Sequence, residues 1–161
     1  MTGTKTGIFR KKAQILKSEV IYEGKAFGVR RDELIEPSGV HTVREVVTHP
    51  GSVVVLPVLP DGTIVLVRQY RHATGQFLWE LVAGRMEPGE DPKTGAAREL
   101  IEETGYSARR VKQILEIFPS PGFVTERMWI FAASAWTSTW GLGPSARVWN
   151  KNSLASCRAL R

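Results

Sequence analysis

The sequence predicts an α/β fold in which a mixed sheet forms an α/β/α sandwich, preceded by a small antiparallel β-meander. Three observations predict it. Two apolar runs, Ser52–Leu59 and Thr63–Arg68, flank Pro60-Asp61-Gly62. That is the pattern of a hairpin whose strands are buried on both faces, and such strands need a layer on each side. A helix is marked at its start by the N-cap Asp91 and by Pro92, and at its end by Gly105. Residues 13–48 break into three short runs separated by turn residues.

Residues 1–12, MTGTKTGIFRKK, are basic and lack an apolar signal core, which fits a flexible arm. In residues 13–48 the strands are Gln14–Tyr22, Phe27–Ile35 and Val40–Thr48, divided by Glu23-Gly24-Lys25 and Pro37-Ser38-Gly39. A meander this small is marginal alone and needs a partner surface. His49-Pro50-Gly51 breaks the pattern and marks a boundary, with a second domain over 49–135. After the hairpin come a strand at Phe77–Val82, the capped helix, and strands at Arg110–Phe118 and Arg127–Ala135 around the loop from Pro119 to Glu126. On the helix, Ala96, Ala97, Leu100 and Ile101 form an apolar face that can pack on a sheet. Residues 136–161 differ in kind: Trp136, Trp140 and Trp149 sit among Gly, Ser, Ala and Arg, and no helix or strand period persists.

Composition removes several function classes. The chain has 161 residues, 42% hydrophobic, enough for one domain with a sizeable core. The longest apolar run, Val53–Leu59, is far too short to span a bilayer. One cysteine, Cys157, allows no intrachain disulfide, and a reducing cytoplasm is the simpler expectation. The net charge of +6 is concentrated late: residues 135–161 hold Arg147, Lys151, Arg158 and Arg161 with no acidic residue. The rest is near balance, which argues against a nucleic-acid module. His41, His49 and His72 lack metal-ligand spacing, and no GxSxG nucleophile motif occurs.

The chemistry concentrates in Gly84–Tyr106. Glu99, Glu102 and Glu103 fall at i, i+3 and i+4, on one helix face beside Arg98. Three like charges on one face repel, and a hard cation with oxygen ligands, Mg²⁺ or Mn²⁺, relieves that repulsion. A solvated acidic face is the ordinary reading of such a cluster. It loses here to the glycine-rich lead-in, the arginine and the glycine stop. The Gly84–Gly89 loop lacks the Gly-Lys-Ser/Thr ending of a phosphate-cradling loop, so it reads as a support for the metal face.

Gly84, Glu90, Arg98, Glu99, Leu100, Glu102, Glu103, Gly105 and Tyr106 fill every defined position of the box G-x5-E-x7-R-E-U-x-E-E-x-G-U. By these residues the chain resembles the Nudix hydrolases, over about Ser18 to Ala133. The resemblance implies a Nudix-type sandwich and a Mg²⁺ or Mn²⁺ held by Glu99 and Glu103, with Glu102 close by and the Ala83 carbonyl contributing. It implies that Arg98 orients the glutamates and that Glu90 braces the loop. Arg68-Gln69-Tyr70-Arg71 and Ser120-Pro121-Gly122 followed by Glu126 resemble the ADP-ribose pyrophosphatase branch. That branch implies Glu126 as the water-activating base, with Arg98 and Glu102 completing the catalytic group. It implies Arg71 on substrate phosphate, with a surface salt bridge as the rival role, and Glu80 on the terminal ribose. It also implies a homodimer through the meander, with Phe27 and Arg44 as candidates for the adenine pocket; a buried core role competes for Phe27. The implied reaction is hydrolysis of ADP-ribose, a small nucleoside diphosphate sugar, to AMP and ribose 5-phosphate. The rival readings are other nucleoside diphosphate sugars, or a module that binds ADP-ribose without turnover. The tail departs from the family, whose members continue with an acidic amphipathic segment and a closing helix. The C-terminal helix is therefore expected to be missing or replaced, through an out-of-frame tail or a divergent one.

Overall fold

In the computed structural model, residues 12–137 and 146–149 are described. The chain forms two compact units. The first runs up to His49 and includes Ser120–Glu126; the second takes Pro50–Pro119 and the chain from Arg127 onward.

The first unit is a meander of β1 (Gln14–Glu23), β2 (Gly28–Ile35) and β3 (His41–Thr48), paired antiparallel in the order β1-β2-β3. β3 does not present one fully buried face, because a sheet this small has little to bury against. Its polar pin is Asp32, buried, whose carboxylate accepts from Ser18 Oγ at 2.6 Å and Arg30 Nε at 2.9 Å. Phe27 is not a core residue: it is 45% exposed, with its ring 5.7 Å from that of Tyr22.

The second unit holds a seven-stranded mixed sheet built on the order β10-β5-β4-β9-β8. Its members are β4 (Ser52–Val58), β5 (Ile64–Arg71), β6 (Gln76–Glu80), β7 (Val82–Arg85), β8 (Tyr106–Ile117), β9 (Met128–Thr137) and β10 (Ala146–Trp149). β4 and β9 run parallel in register from Ser52↔Met128 to Val58↔Ser134, and the other pairs are antiparallel.

The expected hairpin exists but parts early. β4 and β5 meet only at Val58↔Ile64, after which β5 pairs with β6 from Val67↔Glu80 to Arg71↔Gln76, and β4 pairs with β7. The single strand expected at Phe77–Val82 is therefore two, broken at Leu81, so that one chain segment serves two neighbours. Burial is also less symmetric than expected: Val53 and Val55 are fully buried, while Val54, Leu56, Ile64 and Leu66 are half-buried.

The fully buried face packs on α1 (Pro92–Thr104), the one α-helix among the described residues. Asp91 caps it, accepting from Thr94 N–H at 3.1 Å, and Gly105 ends it in the left-handed region. Leu100 is completely buried, worth roughly 1.5–3 kcal/mol of transfer free energy for a side chain of its kind. Ile101 does not join this face as expected; it is 52% exposed, and Thr104 takes the buried position. The Thr104 hydroxyl donates to Leu100 O and accepts from Tyr106 N–H, which joins the helix end to β8. In the tail the described residues Ala146–Trp149 are a strand paired with β5, not the patternless segment expected. The remainder of the tail lies outside the described residues.

Candidate active site

The site grows from a close approach between β7 and α1. Sheet pairing fixes Gly84 opposite Val53 on β4. The Glu99 carboxylate lies directly over its Cα, so close that a Cβ at 84 would coincide with the carboxyl group. Only glycine fits. Glu99 is 92% buried by this approach, since its residue exposure is 8%.

A buried carboxylate needs a partner, and Arg98 supplies it. Arg98 Nη1 donates to Glu99 Oε1 at 2.8 Å and to Glu102 Oε2 at 3.2 Å. Its other edge grips Glu90, Nε to Oε1 at 2.9 Å and Nη2 to Oε2 at 3.0 Å, and Nη2 also reaches Arg85 O at 3.3 Å. One guanidinium thus ties β7, the loop after it and α1 together. Glu90 in turn accepts from Glu87 N–H at 3.1 Å, which closes the loop. Glu90 is thus held by Arg98 on one side and by a backbone amide of its own loop on the other. These contacts raise the Arg98 pKa, Glu90 first and Glu99 second.

Glu90 itself is held below its ordinary 4.5, chiefly by Arg98 and then by the Glu87 amide. A depressed carboxylate contributes stability that is full above its unfolded pKa and is lost as pH falls through the lower folded value. A Tm-versus-pH series is expected to fall on the acid side of 4.5, and Glu90→Gln is expected to flatten that limb.

Glu103 lies on the other side of the cluster, half-buried, accepting from Ala83 N–H at 3.3 Å. Burial pushes its carboxyl up, and the Glu99 charge adds to this, while the Ala83 amide opposes it. Arg71 and Glu80 are within electrostatic reach: Arg71 draws Glu103 down and Glu80 pushes it up. The two are themselves a pair, with Arg71 Nε 2.9 Å from Glu80 Oε1 and Nη2 on Oε2, supported by Gln69 Nε2 at 3.1 Å. The salt-bridge role foreseen as a rival for Arg71 is therefore present. Their positions follow from β5–β6 pairing, which sets Arg71 at the end of one strand and Glu80 at the end of the next.

Among the described residues no three His, Cys, Asp or Glu side chains are already gathered as a cation cage. Glu99 and Glu102 turn to Arg98, and Glu103 to the Ala83 amide. The donor set still suits a hard divalent cation: carboxylates on one helix face, two of them at least half-buried, with one pKa raised by burial and then by its neighbour's charge. A separate cavity of about 610 Å³, lined by Val58, Leu59, Arg109, Arg110, Lys112 and Ser134 among others, contains none of these glutamates. Its cationic lining does not suit a metal.

Residues 48–149 match the family profile described as NUDIX domain. The chain belongs to the Nudix family. It is 39% identical over 118 residues to the ADP-ribose pyrophosphatase of Bacillus subtilis (strain 168), covering 73% of this chain and 64% of that protein. It is 38% identical over 122 residues to the ADP-ribose pyrophosphatase of Mycobacterium tuberculosis (strain ATCC 25618 / H37Rv), covering 75% and 59%. The chain thus spans less than two thirds of the length of these relatives. A solved structure titled "Crystal structure of ADP compounds hydrolase" shares the fold, with a TM-score of 0.71 at 22% identity, over 92% of this chain and 83% of that one. The Nudix helix is α1, and the mixed sheet, with a three-stranded meander preceding it in the chain, is the expected Nudix fold.

The remaining expected site residues fall in the first unit. Arg44 pairs with Glu36 at 2.5 Å, and Phe27 contacts Tyr22. Glu126 sits beside His49. Two neighbours of the expected site residues escaped the sequence reading. The first is His49, whose relation to Glu126 spans 77 positions and leaves no local signal. The second is Gly95 inside α1, where an interior glycine in a helical pattern was itself a signal. A Cβ there would meet Glu90 Oε2 at 2.8 Å and Met86 Sδ at 3.3 Å. Gly95→Ala normally gains up to about 1 kcal/mol in a helix. Here it is expected to lower both Tm and activity, by prising Glu90 from Arg98.

Proposed function

We propose that this Nudix chain hydrolyses ADP-ribose to AMP and ribose 5-phosphate. The observation that carries the reading is the Arg98 cluster, which holds Glu99 against Gly84 and sets Glu102 and Glu103 on the same helix face. Glu99 and Glu103 would hold Mg²⁺ or Mn²⁺, with Glu102 near and the Ala83 carbonyl contributing. The cation supplies charge neutralisation at the diphosphate. Arg98 keeps Glu99 oriented, and Glu90 keeps Arg98 oriented. Glu126 accepts the proton of the attacking water, whose oxygen bonds to phosphorus as the bridging P–O bond breaks. Arg71 and Glu80 act as a preformed unit, the guanidinium toward a phosphate oxygen and the carboxylate toward a ribose hydroxyl.

The substrate class is supported by the two relatives named ADP-ribose pyrophosphatase. Turnover is favoured over passive binding by the complete Nudix box, since a pure binder needs no full metal seat. The cytoplasm remains the proposed compartment; among the described residues no helix is long and apolar enough to cross a membrane.

The proposed assembly is a homodimer through the meander of residues 13–48, which also contributes Phe27 and Arg44 to the adenine pocket, while 49–135 carries catalysis. Val20, 70% exposed, and Ile15, 51% exposed, fall on one face of the meander, opposite Arg30 and Leu34 of β2, as apolar positions that want cover. Val20→Asp is expected to shift the species seen by sedimentation velocity from dimer to monomer. A monomeric parent chain would remove the proposal.

The deciding experiment for the activity is product analysis on a monodisperse sample, with Mg²⁺ and a panel of nucleoside diphosphate sugars. AMP and ribose 5-phosphate from ADP-ribose are expected. Preferential cleavage of another member of the panel would move the reading to that sugar.

A further inference from the structure

We propose that His49 is a positioning residue for Glu126, fixing the orientation of the carboxylate that takes the proton from water. The inference rests on the reading of Glu126 as that base.

The loop bearing Glu126 is zipped to the end of β3. Val47 N–H donates to Phe123 O at 2.8 Å, and Thr125 N–H returns to Val47 O at 2.9 Å, around a parallel bridge between Val47 and Val124. Two positions on, His49 N–H donates to Thr125 Oγ1 at 2.9 Å, and that hydroxyl donates to His49 O at 3.3 Å. The backbones of residues 47–49 and 123–125 are thereby locked in register. The next side chains in the ladder are the His49 ring and the Glu126 carboxylate.

His49 Nδ1 lies 3.8 Å from Glu126 Oε1, and the two side chains are 21% and 23% exposed. That separation is ion-pair range and too long for a hydrogen bond, so a small side-chain adjustment completes the contact. Apo distances of this kind tighten when substrate is bound. Partial burial makes the interaction stronger than it would be in water.

A glutamate has three rotatable side-chain bonds and loses precision as a base unless something holds it. The imidazole has two, and its backbone is pinned on both N–H and C=O. With Nδ1 3.8 Å from Oε1, the imidazole limits the rotation of the Glu126 carboxylate. The balance is simple: the water O–H bond breaks, a carboxyl O–H forms on Glu126, and His49 keeps its Nδ1 proton throughout, neither giving nor taking one in the step. His49 thus couples the geometry of β3 to that of the base.

The test compares His49→Ala, His49→Asn, His49→Gln, Glu126→Gln and the double variant His49→Ala/Glu126→Gln, in the full chain with Mg²⁺ and ADP-ribose. Asn carries its amide nitrogen where histidine carries Nδ1; Gln carries it where histidine carries Nε2. His49→Ala is expected to lower kcat by about tenfold to a hundredfold, the range for orienting partners. KM should stay within about twofold, since substrate binding is not touched. His49→Asn should recover most of kcat and His49→Gln little of it. The double variant should be no slower than Glu126→Gln alone. Wild-type kcat in His49→Ala overturns the inference, as do equal rates in the Asn and Gln variants, even where the alanine variant is unstable. Independent, multiplying effects of the two sites also overturn it, with Glu126 still standing as base. Wild-type kcat in Glu126→Gln removes the base assignment and the inference together.

Discussion

Glu99→Gln is expected to lower kcat/KM for ADP-ribose by about a thousandfold, with little change in fold. The rate effect follows from the charge removed. Stabilising a diphosphate in the transition state through a bound cation is worth several kcal/mol, and each 1.4 kcal/mol is about a factor of ten. The fold should persist, because Arg98 keeps its two bonds to Glu90 and its contact with Glu102. Glutamine also retains an oxygen able to accept from Arg98 Nη1 at the 2.8 Å site. Glu103→Gln is the companion case, with the same loss of rate and a different stability outcome. Burial and Glu99 hold the Glu103 carboxyl above its ordinary 4.5, so keeping it ionised at neutral pH costs folding stability. The amide removes that cost while still accepting from Ala83 N–H, so Tm at neutral pH should hold or rise. Kinetics with Mg²⁺ beside thermal melts reads both. Undiminished turnover in both variants would strip the glutamates of their role.

Much of this site was legible because it is local. Glu90, Arg98, Glu99, Glu102 and Glu103 lie within fourteen residues, and helix periodicity alone sets three of them on one face. The caps of α1 were readable for the same reason: Asp91 and Gly105 act on backbone groups a few residues away. What was not legible came from tertiary choice. Nothing in Phe77–Val82 says that the chain leaves β5 at Leu81 to join β4, because both halves have equal β character. The exposure of Ile101 depends on which 100° of the helix meets the sheet, and Thr104 won that place by satisfying its hydroxyl within the helix. Phe27 read more readily as a core than as a pocket residue, yet it is 45% exposed, since an aromatic side chain carries no mark of what will cover it. The pairing of Arg71 with Glu80 required strand register, which sequence leaves open until the turn at His72–Thr74 is known.

Gly84→Ala adds one methyl and is expected to cost at least about a hundredfold in kcat/KM, the penalty for displacing a catalytic group by an ångström or so. The size of the loss depends on which atoms can yield. The backbone at 84 cannot, because β7 is paired with β4 on either side of it, from Ser52↔Arg85 to Val55↔Val82. The new Cβ falls on the Glu99 carboxyl itself, so Glu99 must leave its seat. In leaving, it surrenders the Arg98 Nη1 contact and drags the face it shares with Glu102 and Glu103 out of alignment. Overpacking of this kind costs roughly 1–3 kcal/mol of stability, so the variant should fold with a lowered Tm. The position of the clash supplies its own control. Aspartate at 99 is one methylene shorter and draws the carboxylate back from the added methyl. The double variant Gly84→Ala/Glu99→Asp is therefore expected to be more stable than Gly84→Ala alone and faster than the product of the two single effects. Simple multiplicativity, or wild-type activity in Gly84→Ala, would mean that Glu99 does not work from its place over Gly84. The metal face would then have to be built from the more exposed side of α1.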